Sequence, residues 1–185
     1  MLSRPAEPIR TARLVLRPFG LGDVDDVWSF QREPSVARFM RWEPRDREQS
    51  ASSVREMVTE NGLTAEGDCL SLAIVEPPST TVIGQAELVW LSEPDSQGEI
   101  GFVLHPAHQG RGLATEAAAA LLRVGFGDLG LHRIAGRCNA TNTASAAVLQ
   151  RLGMRREAHL RDTSFRKGAW QSELVFALLR DEYAG

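Results

Sequence analysis

The feature that most constrains this chain is a change of hydrophobic period between Glu99 and Val124. Glu99-Ile100-Gly101-Phe102-Val103-Leu104 is a strand-like run that ends at His105-Pro106. Beyond a loop carrying Gly110 and Gly112, Leu113, Ala117, Leu121 and Val124 recur at helical spacing, to about Asp128. A strand that feeds a helix through a glycine turn commits this part of the chain to a layered fold with helices packed on a sheet.

The remaining segments fit around that unit. Ala12–Arg17 alternates as a strand, with Leu14 and Leu16 on one face, and Pro18 ends it. Asp23 is placed to cap a helix to Gln31, with Val24, Val27 and Trp28 on its apolar side. Pro34-Ser35 opens a short helical turn with Val36, Phe39 and Met40, and Asp46 caps a further helix to Glu60, stopped at Asn61-Gly62. Cys69–Val75, Val82–Leu91 and Glu99–Leu104 are three strands with short connections, which predicts an antiparallel meander with a bulge near Gly84. After the long helix, Gly130 is its stop, His132–Cys138 is a strand, Asn142–Leu152 is a helix halted at Gly153, and Glu173–Leu179 is a final strand. The expectation is α/β (α+β): a single domain over residues 1–185, core about 13–179, with a mixed, mostly antiparallel central sheet flanked by helices.

Bulk properties narrow the function. The 185 residues suffice for one domain with a substantial core, and 43% hydrophobic with 24% charged residues is ordinary globular composition. A net charge of −3 and basic runs no longer than Arg155-Arg156 and Arg166-Lys167 argue against a nucleic-acid partner. Met1–Pro5 lacks an apolar run and no stretch is long enough to span a bilayer, so neither a secretory signal nor a membrane partner is expected. Cys69 and Cys138 lack metal-ligand spacing and sit in apolar strands, as free buried thiols do, which fits a cytoplasmic location; sequence leaves a disulfide between them open.

Chemistry concentrates at the loop. A helix N-terminus presents unpaired N–H groups and a partial positive charge, which match a phosphate. Gly110 and Gly112 allow close backbone approach, and Arg111 offers a charged contact. By themselves these residues equally describe a tight strand-to-helix turn. Leu113 after Gly112 excludes a Walker-type loop, and Thr115 stands where a dinucleotide fingerprint needs its third glycine.

Gln109-Gly110-Arg111-Gly112-Leu113-Ala114 resembles the Q/R-x-x-G-x-G/A signature of GNAT N-acetyltransferases. Glu99–Pro106 is similar to the preceding family strand, and Gly112–Ala117 to the helix start of the RimJ/RimL-like branch. Asn142, Ser145, Leu152, Gly153 and Met154 resemble its N-x-x-S…K-L-G-F segment, and Leu14–Pro18 its N-terminal strand, so the resemblance runs from about Arg13 to Leu179.

The resemblance implies acetyl-CoA as cosubstrate, no metal, and direct attack of an amine on the thioester. It implies cofactor contacts at Phe102, Val103, Leu104, Gln109, Gly110, Arg111, Gly112, Leu113, Ala114, Thr115, Asn142 and Ser145. A pantetheine amide adding to an open strand edge agrees with this on physical grounds. The tyrosine that many relatives use as an acid would stand at position 149, where this chain has Leu149; Ser145 is the candidate acid instead, and Glu99 the candidate base. Where the branch can carry an acidic residue after the second helix, this chain has Ser164. His105 and His108 read as loop histidines, Asn142 equally as a helix cap, and Trp28, Trp42, Trp90 and Trp170 as core, Trp42 with an alternative place in an acceptor groove. The implied acceptor is a primary amine, on a protein N-terminus or on a small molecule such as a polyamine or antibiotic; a non-catalytic acyl-CoA-binding module is the third reading. The resemblance also admits a homodimer.

Overall fold

The structure is a computed structural model and describes residues 8–184; the reading of Met1–Pro5 lies outside them. It contains an eight-stranded sheet with strands β1 (Ile9–Arg10), β2 (Val15–Pro18), β3 (Cys69–Val75), β4 (Val82–Ser92), β5 (Gln97–Leu104), β6 (Arg133–Asn139), β7 (Arg155–Arg166) and β8 (Ala169–Leu179). Their spatial order is β1-β2-β3-β4-β5-β6-β8-β7. Every pairing is antiparallel except β5 with β6. The helices are α1 (Val24–Gln31), α2 (Pro34–Ala37), α3 (Arg47–Thr59), α4 (Leu113–Arg123) and α5 (Thr143–Arg151). This is the mixed, mostly antiparallel sheet with flanking helices that the pattern predicts.

Strand alternation divides the apolar side chains between two layers. Leu70, Leu72, Ile74, Ala86, Leu88, Ile100 and Ile134 pack with Leu113, Ala117 and Leu121 of α4 in the larger core. Ala73, Val75 and Val82 pack on the other face with Val27 and Phe30 of α1 and Val54 and Met57 of α3. The meander places Gly84 opposite Leu104 and Glu87 opposite Gly101. The expected bulge is present: Ile74 pairs with Gly84 and Val75 with Val82, so Ile83 is the extra residue beside Gly84.

Local signals hold at most boundaries. Asp46 Oδ1 accepts from Gln49 N at 2.8 Å and Gln49 Oε1 accepts from Asp46 N at 2.9 Å, closing a capping box on α3. Gly153 follows α5 with φ 81°. After α4 the chain widens into a π-helical turn, Val124–Asp128, and Gly130 follows with φ 67°.

Three readings need correction. Asp23 precedes α1 but does not cap it: its carboxylate accepts from Arg17 Nη1 and Nη2, both at 2.8 Å, and from Gly20 N at 2.8 Å. A bidentate guanidinium outcompetes a helix amide for the same oxygens. The strand β7 has no counterpart in the sequence reading, because Arg155–Arg166 is charged and largely exposed. Trp170 is not core: it is 61% exposed near the tip of the β7–β8 hairpin, edge-on to Phe165 at 5.5 Å.

Candidate active site

The parallel pair β5–β6 runs from Gln97↔Arg133 only as far as Ile100↔Gly136. Beyond it, β5 stays with β4 to Leu104, while β6 stays with β8 through Asn139. The two strands part, and a cleft of about 1140 Å³ opens between them. Its lining comes from both faces of the sheet: Gly110, Gly112, Thr115 and Ser145 from the α4–α5 side, and Phe39, Trp42, Arg45 and Glu60 from the α1–α3 side.

Phe102, Val103 and Leu104 form the β5 wall, on the edge that β6 has left. Gln109 is fixed by its Nε2, which donates to Leu104 O at 3.0 Å. Gly110 and Gly112 have φ values of 75° and 78°, a left-handed conformation that a side chain would strain. Gly112 is the N-cap of α4 and brings no side-chain cap, so the amides of Leu113, Ala114 and Thr115 are left to whatever enters the cleft. Thr115 Oγ1 is buried without a hydrogen-bond partner. An uncapped helix, a glycine approach and an orphaned hydroxyl together fit a phosphate ester.

Arg111 does not line the cleft. Its guanidinium holds Glu76, Nη1 to Oε2 at 2.9 Å and Nη2 to Oε1 at 2.5 Å, and so keeps the Glu76 carboxyl below its usual range. The loop is fastened from the other side too. Glu116 Oε1 accepts from Thr11 Oγ1 at 2.7 Å and from Arg13 N at 2.8 Å, and Oε2 from Arg13 Nε at 2.7 Å. Arg13 Nη1 then donates to Arg111 O at 3.0 Å. Burial acts to raise the Glu116 carboxyl, but the bonds from Thr11 and Arg13 outweigh it and hold it low.

On α5, Asn142 Oδ1 accepts from Ser145 N at 3.1 Å, the cap expected of it, and both residues line the cleft. Leu149 does not: it is 1% exposed and lies under β6, where a Cβ on Gly136 would come within 2.5 Å of Leu149 Cδ2. Tyr183, the chain's only tyrosine, packs on Phe126 with ring centroids 5.0 Å apart. Ser145 is therefore the hydroxyl that the second helix turns toward the cleft.

The α1–α3 side is acidic at its floor. Glu99 Oε2 accepts from Arg137 Nε at 3.0 Å, and Glu173 Oε2 accepts from Arg137 Nη1 at 3.1 Å. Burial lowers the Arg137 proton affinity, but Glu173 and Glu99 outweigh it, so the guanidinium stays charged. Glu87 on β4, Gln85 beside it and Glu60 after α3 complete the floor. Sequence reasoning missed these three. The signal was present, since Gln85 and Glu87 are polar residues at alternate positions inside an otherwise apolar strand. His105 and His108 lie outside the cleft lining: His105 Nδ1 accepts from Ala107 N at 3.1 Å, and His108 Nδ1 is 3.5 Å from Glu76 Oε2. Ser164 is likewise outside it, accepting from Arg166 Nε at 2.9 Å. Trp42 lines the cleft, under the Arg45 guanidinium at 5.1 Å.

Cys69 and Cys138 are free. Burial, with help from Glu87 and Glu60, pushes the Cys69 thiol up to about 12, and burial with Glu173 pushes Cys138 up to about 11. Neither is a thiolate nucleophile at neutral pH. Among the described residues no cluster of His, Cys, Asp or Glu is placed to hold a metal ion, and no helix is long and apolar enough to cross a membrane.

The central strands of a mixed sheet part beside an uncapped, glycine-led helix, an arrangement suited to a phosphate-bearing ligand. The chain belongs to the GNAT acetyltransferase family: residues 13–155 match the family described as Acetyltransferase (GNAT) domain. It is 32% identical over 179 residues to the uncharacterized N-acetyltransferase p20 of Bacillus licheniformis, covering 97% of this chain and 99% of that one. It is 22% identical over 172 residues to a spermidine N(1)-acetyltransferase of Vibrio cholerae, covering 93% and 96%. The structure superposes on a GNAT-family acetyltransferase from Bacillus anthracis with a TM-score of 0.84 and 26% identity, covering 95% of this chain and all of the other. The protein is an acetyl-CoA-dependent N-acetyltransferase.

Proposed function

We propose that this chain transfers the acetyl group of acetyl-CoA directly to a primary amine, with the two reactants entering the cleft from opposite faces of the sheet. The two-sided cleft at the parting of β5 and β6 carries the reading. The pyrophosphate lies against the amides of Leu113, Ala114 and Thr115, with Gly110 and Gly112 giving the approach and Thr115 Oγ1 a further hydrogen bond. The pantetheine amides run along Phe102, Val103 and Leu104 as an added strand. Gln109 and Arg111 shape the loop rather than touch the phosphates, and Asn142 orients the start of α5. Ser145 protonates the departing sulfur, and the first amides of α5 favour the negative charge that develops there. The amine proton passes to the carboxylate floor, in which Glu99 stands on the strand leading into the loop.

The acceptor is a primary amine that enters from the Trp42 side, either a protein N-terminus or a small molecule. The test is release of free CoA thiol across a panel of N-terminal peptides, spermidine and aminoglycosides, alongside thermal unfolding with acetyl-CoA. Binding to the native state alone raises Tm by mass action, by about 2.7 kcal/mol of stability at a hundredfold excess over Kd. No thiol release on any amine together with an unmoved Tm would remove the proposal. A moved Tm with no release would leave only acyl-CoA binding.

A further inference from the structure

The carboxylates on the acceptor side of the cleft are not equally engaged. Glu99 and Glu173 share the Arg137 guanidinium. Glu87, one strand away, accepts only from the neutral Gln85 Nε2 at 3.0 Å, and among the described residues no ion pair reaches it. Its position is specified by the residue opposite. Glu87 pairs with Gly101, where a Cβ would come within 2.5 Å of Glu87 Oε1 and 2.9 Å of its Cγ. The missing side chain therefore lets the carboxylate lie over β5 at the first residue beyond Ile100, where β6 departs. With the pantetheine arm along Phe102–Leu104 as proposed above, an amine arriving from the α1–α3 side would meet the thioester at that point.

We propose that Glu87 takes the proton from the acceptor's ammonium, while Glu99 remains bound to Arg137 as a fixed charge. The assignment rests on the acetyl-transfer reading and divides the work within its carboxylate floor. The step balances as follows. Glu87 Oε accepts one proton from R–NH3+, and the freed lone pair forms the N–C bond to the thioester carbonyl. The C–S bond then breaks and its electron pair leaves on sulfur, which takes up one proton to give CoA thiol. The nitrogen gives up its second proton as the amide forms, and one net proton goes to solvent. No oxidant or reductant is needed.

The surroundings suit a group that must be an anion before each turnover yet hold a proton briefly. Burial raises the Glu87 carboxyl above its ordinary range; Glu60 and Glu99 add to this, and the Gln85 hydrogen bond opposes it. Of the charged groups lining the cleft, Glu60 after α3 and Glu99 on β5 act on it; Arg41, Arg45 and Glu56 from the α1–α3 side, Arg137 from β6, Arg166 from β7 and Glu173 from β8 share the same cleft. Cys69 on β3 stays neutral. A carboxyl shifted toward working pH is a better base than one left at its usual value.

The experiment compares wild type, Glu87→Gln, Glu87→Asp and Glu99→Gln by thiol release from pH 5.5 to 9, each with acetyl-CoA affinity measured by calorimetry. Expected for Glu87→Gln is acetyl-CoA affinity within twofold of wild type and kcat/KM lower by about a hundredfold, the acidic limb of its pH profile lost. Glu87→Asp, which keeps the carboxylate but retracts it, falls between, and it carries the test where the glutamine variant does not fold. Glu99→Gln, which unpairs Arg137 and removes a charge from the floor, loses activity too but less than Glu87→Gln; it keeps an acidic limb, moved to lower pH because one neighbouring negative charge is gone. Turnover of folded Glu87→Gln within threefold of wild type, or a loss confined to Glu99→Gln, overturns the assignment and leaves acetyl transfer standing. A wild type silent on every amine removes acetyl transfer itself, and the assignment with it.

Discussion

Removing the Glu116 carboxylate tests whether the Gly110–Gly112 loop is held by its fastening to Thr11 and Arg13. Glu116→Ala strips the acceptor from Thr11 Oγ1, Arg13 N and Arg13 Nε. The Glu116 side chain is 16% exposed and that of Arg13 46%, so the guanidinium is rehydrated at little cost while the Thr11 hydroxyl and Arg13 amide lose a sheltered partner. Charge-assisted bonds contribute about 1.5–3 kcal/mol when sheltered and an exposed ion pair less than about 1 kcal/mol, so the net loss is about 2 kcal/mol. For a chain of this size that is a fall in Tm of roughly 4–8 °C. The Arg13 bond to Arg111 O loses its support, so acetyl-CoA binding weakens about fivefold, close to 1 kcal/mol. The fold holds the Glu116 carboxyl low, so its stabilisation is complete above the ordinary glutamate range and fades as pH falls through the lowered folded value. The Tm gap between wild type and Glu116→Gln should therefore close on acidification. Arg13→Met, which leaves the acid in the first turn of α4, should reproduce the affinity loss. Circular dichroism melts and calorimetry read all three variants. A Glu116→Ala protein with Tm within 1 °C and Kd within twofold of wild type would refute the reasoning.

Gly112→Val should lower acetyl-CoA affinity at least tenfold, since φ 78° is hostile to a branched side chain and the added methyls crowd the α4 amides; unchanged affinity in a folded variant would put the phosphates elsewhere. Ser145→Ala should lower kcat about tenfold or more with acetyl-CoA affinity nearly kept, because only a contact made in the transition state speeds chemistry; normal turnover with chemistry limiting would hand the thiolate to water or the helix amides. Leu149→Tyr should not supply an acid and should cost about 1–3 kcal/mol, because position 149 is packed beneath Gly136; a folded variant with faster turnover would contradict that placement.

The sequence was most legible where local chemistry and tertiary packing agree. Cys69–Val75 lies in a buried apolar run bounded by turn residues, and Asp46 with Gln49 is a self-contained cap, so both needed nothing distant. Gly110 and Gly112 announce their φ values by identity alone. What was hidden depends on partners far along the chain. Asp23 chooses Arg17 over its own helix, and Arg155–Arg166 becomes a strand because β8 gives it hydrogen bonds, not because it has an apolar face to bury. Glu87 showed only as a polar residue in an apolar strand; where it lies follows from a glycine fourteen residues later that only strand pairing brings opposite.

The parting of β5 and β6 gives this sheet an extra edge in its interior. An ordinary open sheet exposes unpaired strand groups only at its two outer strands, where natural proteins guard them against other chains. Here Gly101–Leu104 lie in the middle of the order, between β4 and the departing β6 and with α4 packed on β5, so a second protein strand does not reach them as it would an outer strand. Something as thin as a single extended arm can. An edge so enclosed admits a narrow ligand more readily than a strand, and the amides of this stretch that turn away from β4 should exchange more slowly once acetyl-CoA is bound.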